Sequence, residues 1–129
     1  MSYHFSKQLP GISFDAAVEK TTNALKTEGF GVLTDIDIQQ TLKNKINADF
    51  RKYRILGACN PHFAHQALQA EGHIGVFLPC NVIVQELEDG TVEVSAVDPV
   101  ASMISVQNEQ LGGLATEVQD KLKRVIAQL

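Results

Sequence analysis

Two spacings of apolar residues alternate along the chain. Phe14, Ala17, Val18, Thr21, Ala24 and Leu25 recur at three and four, the spacing of one helical face. Ser13 is placed to accept hydrogen bonds from the first free amides, and Asp15 lies in the first turn, where the helix dipole favours an anion. Ahead of this helix, residues 3 to 9 (YHFSKQL) predict a short strand that stops at Pro10-Gly11. Behind it, Gly29 or Gly31 ends the helix and GVLTDIDI follows. There Val32, Thr34, Ile36 and Ile38 fall on one side and Leu33, Asp35 and Asp37 on the other, the period of two of a half-buried strand.

Ile38, Leu42, Ile46 and Phe50 are spaced by four, which predicts a short helix over about 38 to 49 with a narrow apolar stripe. The compact run YRILGAC, residues 53 to 59, predicts a buried strand. Asn60 then suits an N-cap and Pro61 the first helical position, so a helix runs to about Glu71 and stops at Gly72. Its inward face is Phe63, Ala64, Ala67 and Leu68; His62, His65, Gln66 and Gln69 face outward. Residues 74 to 87 (IGVFLPCNVIVQEL) are mostly β-formers and are read as one strand interrupted by Pro79. Glu88-Asp89-Gly90 joins it as an antiparallel hairpin to TVEVSAV, in which Val92, Val94 and Ala96 share a face, and Asp98-Pro99 closes that strand.

After an irregular PVASMISVQN, the clearest helix of the chain carries Leu111, Leu114, Ala115, Val118, Leu122 and Val125 on one stripe that continues to Ile126 and Leu129. Gly112 and Gly113 mark either a close backbone approach or a ragged start. The order β-α-β-α-β-α-β-β-α predicts an α+β, two-layer domain spanning 1–129: a mixed sheet with an antiparallel C-terminal hairpin and helices packed on it.

Composition narrows the function. The chain has 129 residues, 44% of them hydrophobic and 20% charged, and a formal charge of −4, so it lacks the basic surface that a general grip on nucleic acid or anionic lipid requires. No apolar run is long enough to span a bilayer. The N-terminus, MSYHFSKQLPG, lacks the charged head and apolar run of a secretory signal, which places the protein in the cytoplasm with its two cysteines as thiols.

Candidate chemistry gathers at those cysteines. The dipeptide Cys-Asn occurs at 59–60 and at 80–81, each time beside a proline, in GACNP and LPCNV. A right-handed parallel crossover from the first strand through the helix to the second would bring the two thiols to similar height on the sheet. Cys59 also precedes a helix N-terminus, where free amides stabilise a thiolate. The competing reading is a pair of small, inert core residues. Cys59, His62 and His65 form a Cys-x-x-His-x-x-His string that matches no standard zinc spacing, and the histidines are read as surface residues, as are His4 and His73; no metal ligand is assigned. Asp35 and Asp37 share a strand face with nothing to position a water or leaving group. No phosphate-cradling loop, nucleophile elbow or dinucleotide fingerprint occurs, so the cofactor and any catalytic residue stay unknown.

The segments Ile55-Leu56-Gly57-Ala58-Cys59-Asn60-Pro61, Leu78-Pro79-Cys80-Asn81 and Val97-Asp98-Pro99, with Ala64, Ala67 and Leu68 between them, resemble in type and order the family catalogued as domain of unknown function 302. The resemblance extends more loosely over nearly the whole chain, including Gly29 to Leu33 and the C-terminal helix. It implies a compact α/β fold and a homodimer, and it supplies no established reaction. Cys59 and Cys80 match the cysteines of the family's motif, whereas His62, His65 and His73 match nothing in it. Three functions stay open. The first is a homodimeric module binding a small ligand, an anion among the candidates, near Cys59, Asn60, Cys80 and Asn81. The second is a redox, sulfur-handling, soft-metal or haem-binding protein acting through the two thiols. The third is a structural or interaction domain with inert core cysteines.

Overall fold

The computed structural model describes residues 2–129. Five strands, β1 (His4–Leu9), β2 (Gly31–Asp37), β3 (Tyr53–Cys59), β4 (Cys80–Glu86) and β5 (Val92–Val97), form one sheet in the order β1-β5-β4-β3-β2. All four pairings are antiparallel. The α+β character and the helix-on-sheet layering therefore hold, and the mixed sheet does not. The expected parallel crossover between β3 and β4 fails because the chain turns back before it re-enters the sheet.

Helices α1 (Phe14–Thr27) and α5 (Glu109–Ala127) pack on one sheet face; α3 (Pro61–Ala70) packs against α5, and α2 (Ile38–Ile46) lies beside β3 and β2. A single turn, α4 (Pro99–Ser102), sits in the segment expected to be irregular, with Asp98 accepting from the amides of Val100 and Ala101. The caps read from sequence are in place: Ser13 Oγ accepts from Ala16 N at 3.2 Å and Asn60 Oδ1 from Phe63 N at 3.5 Å.

Register sorts the strand residues. Leu56↔Val82↔Ala96 and Val84↔Val94 are opposite pairs on the helix-covered face, where all five are buried against Leu25, Leu122 and Val125. The other face carries Ile55, Ile83, Ser95 and Val97, on the side away from the core residues of α1 and α5.

Two segments depart from the pattern. The β-formers Ile74–Phe77 make a 3₁₀ turn, and β4 begins only at Cys80, after a cis Leu78–Pro79 peptide. Strand β2 is not half-buried: it is a sheet edge, and a bulge between Val32 and Thr34 turns Val32 to the same side as Asp35 and Asp37. Without a layer over it, Leu33 stays 69% exposed. The stripe of α2 likewise buries no residue.

Candidate functional site

Strand β3 leaves the sheet at Cys59, α3 and the 3₁₀ turn run outside it, and β4 re-enters at Cys80, which pairs with Ala58. The register brings Cys59 and Cys80 together at one end of the sheet by an antiparallel return. Gly57 makes the return possible. A Cβ there would overlap Thr34 Oγ1 and approach Pro79 Cγ to 2.8 Å, so only glycine lets β2 and Pro79 close in from both sides. Gly29 has a comparable role beneath α3: its φ of +83° suits glycine, and a Cβ would lie 3.0 Å from Asn60 Nδ2.

Between this sheet end, α3 and the first half of α5 lies a half-open cavity of about 290 Å³. Its floor is Ala58, Cys59 and Cys80; Phe63, Ala64 and Ala67 of α3 form one wall; Leu111, Leu114 and Ala115 of α5 form another. Met103 and Leu78 close one side, and the lining is almost wholly carbon and sulfur. The cavity exists because the facing positions are small. Alanines on α3 meet Ala115 on α5 and leave the middle unfilled. Exposed Leu33 and Leu68 stand at its mouth.

Cys80 is only 9% exposed, and burial pushes its thiol up to about 11, with the neighbouring Cys59 adding to the shift. Cys59 is half-buried, and neither cysteine is in a disulfide. Asn60 lines the cavity, but its amide is engaged: Oδ1 caps α3, and Nδ2 donates to Glu28 O at 3.5 Å, tying the C-terminus of α1 to the N-terminus of α3. The Glu28 carboxylate in turn accepts from Arg124 at 3.0 Å and faces Lys121 at 4.0 Å. Lys121 Nζ lies 5.9 Å from the centre of the Phe63 ring.

Of the four residues singled out in sequence, Cys59, Asn60 and Cys80 meet at this cavity and Asn81 does not. Successive strand residues face opposite ways, so Asn81 lies on the other sheet face with Tyr53, Ile83 and Ser95, lining a separate depression. The repeated Cys-Asn dipeptide is thus not a repeated site. His62 and His65 are exposed on the outer side of α3, and His73 pairs with Glu71 at 3.4 Å. Among the described residues no three His, Cys, Asp or Glu side chains converge. Asp35 is not paired with Asp37 but held by Arg54 through two hydrogen bonds of 2.7 Å, which lower the Asp35 carboxyl below its ordinary value. Gly112 and Gly113 approach nothing closely. Sequence reasoning missed Met103, Leu111 and Ala115 as cavity residues. The available signal was the coincidence of small residues on the inward faces of two helices.

An antiparallel sheet with its core helices on one side, and an apolar cavity with two thiols at the sheet end, define an α+β domain with a binding-type pocket and no recognisable catalytic set. The chain belongs to the family described as Domain of unknown function DUF302, whose profile matches residues 5–129. It is also similar to the crystal structure of an uncharacterized conserved DUF302 protein from Bacillus stearothermophilus, with TM-score 0.91 and 26% identity over 99% of this chain and 98% of that one. No curated protein matches it. Among the described residues, no helix is long and apolar enough to cross a membrane.

Proposed function

We propose that this chain is a homodimeric small-ligand-binding module of the cytoplasm whose ligand seats in the cavity beside Cys59 and Cys80. The observation that carries the reading is the cavity itself: about 290 Å³, open to solvent and lined by apolar side chains. At about 30 Å³ for each water-sized group it accommodates roughly ten heavy atoms. Its lining favours an uncharged, apolar ligand over the anion that the asparagines suggested, because Asn60 is already hydrogen-bonded and Asn81 faces away. The other sheet face, with Tyr53, Ile55, Ile83 and Val97 around Ser95, suits a twofold contact in which each copy offers the same patch. Under this reading Asn81 belongs to the dimer contact.

The test is titration with an apolar fluorescent dye. One saturable site per chain is expected, and Ala67→Leu, which places a larger side chain in the cavity wall, abolishes binding while the circular dichroism spectrum is unchanged. Dye that binds the variant as it binds the parent chain overturns the reading. Sedimentation of an Ile83→Asp variant checks the dimer, with a monomer expected. A chain that binds no dye but remains dimeric is left with the structural role, its cysteines serving as packing.

A further inference from the structure

A second depression adjoins the cavity. It holds about 450 Å³, is more open, and is lined by Val100, Ile104, Gln107, Glu109 and Gly112. Met103, Leu111 and Ala115 line both spaces, so these three side chains form the partition between them. Leu111 and Ala115 are buried, one turn apart on α5, and are fixed by that helix. Met103 is not: it is half-buried, lies just beyond the single turn α4, and carries an unbranched side chain with three rotatable bonds. We infer that cavity and depression are two parts of one elongated site, and that its ligand is an unbranched aliphatic chain with an uncharged, hydrogen-bond-donating head. That reading rests on the proposed function, since the tail of the chain occupies the cavity.

Shape selects the chain. The cavity alone accommodates roughly ten heavy atoms, and a longer ligand has to pass Met103. Beyond it, Val100 and Ile104 are exposed to 37% and 68%, although both are large and apolar, and they stand on the same groove. An aliphatic chain lying along them takes both out of water. The α5 side of this groove is open because Gly112 has no side chain: a Cβ there meets nothing within 4 Å. Glycine inside a helix costs stability relative to alanine, and here it keeps the groove clear along α5.

Polarity orients the chain. The inner end of the site is carbon and neutral sulfur, surroundings that suit a methyl terminus. Polar side chains stand at the outer end, at Gln107, Asn108 and Glu109. Asn108 is engaged: its Nδ2 donates to Ala70 O at 2.9 Å and its Oδ1 accepts from Gln110 N at 3.0 Å, which ties the end of α3 to the start of α5. Gln107 and Glu109 are exposed at the rim and offer a carbonyl oxygen and a carboxylate. Both oxygens accept, so a hydroxyl or amide head that donates fits them, whereas a carboxylate head meets the like charge of Glu109.

The experiment is calorimetric titration of the full chain with straight-chain alcohols from hexan-1-ol to dodecan-1-ol, with the apolar dye titrated in a parallel sample. Affinity should rise about fourfold per methylene while the chain fills the cavity, and about twofold per methylene once it lies in the groove, which covers it on one side only. Gly112→Leu fills the groove and not the cavity, and leucine favours the helix, so the variant stays folded. It should bind hexan-1-ol as the parent chain does and dodecan-1-ol about tenfold more weakly. Dodecanoate at neutral pH should bind about fivefold more weakly than dodecan-1-ol. Affinity that stops rising at octan-1-ol, or dodecan-1-ol held equally by the Gly112→Leu chain, overturns the inference; dye still bound in that case leaves the cavity reading standing. A chain that binds neither dye nor any alcohol removes both. Dodecanoate bound as tightly as the alcohol overturns the assignment of the head.

Discussion

The two halves of α5 face different interiors. From Leu122 onward, Leu122, Val125, Ile126 and Leu129 join α1 and the sheet in the main core. Before it, Leu111, Leu114 and Ala115 look across at the alanines of α3, and the space between stays unfilled. One helix with one continuous apolar stripe thus seals the protein at one end and opens it at the other. The stripe sets which side faces inward. Side-chain volume on the opposing element sets whether the interior is closed.

A paired truncation tests this contrast most strongly. Leu122→Ala should cost about 3 kcal/mol in denaturant unfolding, whereas Leu111→Ala, beside an existing void, should cost only about 1–2 kcal/mol. Equal losses would remove the distinction. Next comes Gly57, the tight point beside the loose one. Gly57→Ala should cost about 2 kcal/mol, because neither Thr34 nor Pro79 has a flexible end that can yield. An unchanged melting temperature would mean that β2 and Pro79 move apart freely.

A third effect belongs to the cavity end alone. The Cys80 thiol is raised from 9.0 to about 11, so the folded state favours its neutral form. That contribution is full below the unfolded value near 9 and is lost as pH rises through 11, on the order of 2 kcal/mol. Stability measured from pH 8 to 11 should fall less steeply in Cys80→Ala; identical slopes would show that the thiol does not sense its burial. The smallest effect is expected at the sheet edge. Arg54→Ala should cost at most about 1 kcal/mol, since the Asp35–Arg54 pair is partly exposed. As the Asp35 carboxyl is lowered from 3.8, the part that depends on it is present above that value and disappears as pH falls below it. The acid limbs of the two chains should therefore converge.

What the sequence made legible is what local chemistry decides. The caps at Ser13 and Asn60, the hairpin at Glu88 to Gly90 and the stripes of α1 and α5 follow from spacing and hydrogen-bonding capacity, and each appears in the structure. Strand direction does not follow from those terms, because β3 and β4 read the same whether the chain returns parallel or antiparallel. Ile74 to Phe77 carry strand-forming side chains, yet the next segment, Leu78-Pro79, leads the chain back toward Ala58, and tertiary placement overrides propensity. The exposure of β2 and α2 was hidden for a similar reason: a correct period says which side is apolar, not whether anything covers it. The site was half legible. Cys59, Asn60 and Cys80 were found from motif and capping, and strict alternation along β4 already places Asn81 opposite Cys80. Met103 could not be found, since nothing local links it to either cysteine.

The excursion from Asn60 to Pro79 begins and ends at neighbouring strands, since Ala58 and Cys80 are paired. In kinetic terms it is a pendant unit: it can detach and return without breaking any rung of the sheet. Amides of α3 should therefore exchange with deuterium sooner than those of β3 and β4 and share one opening rate. That rate would set how often the α3 wall lifts away from a cavity that is already half-open.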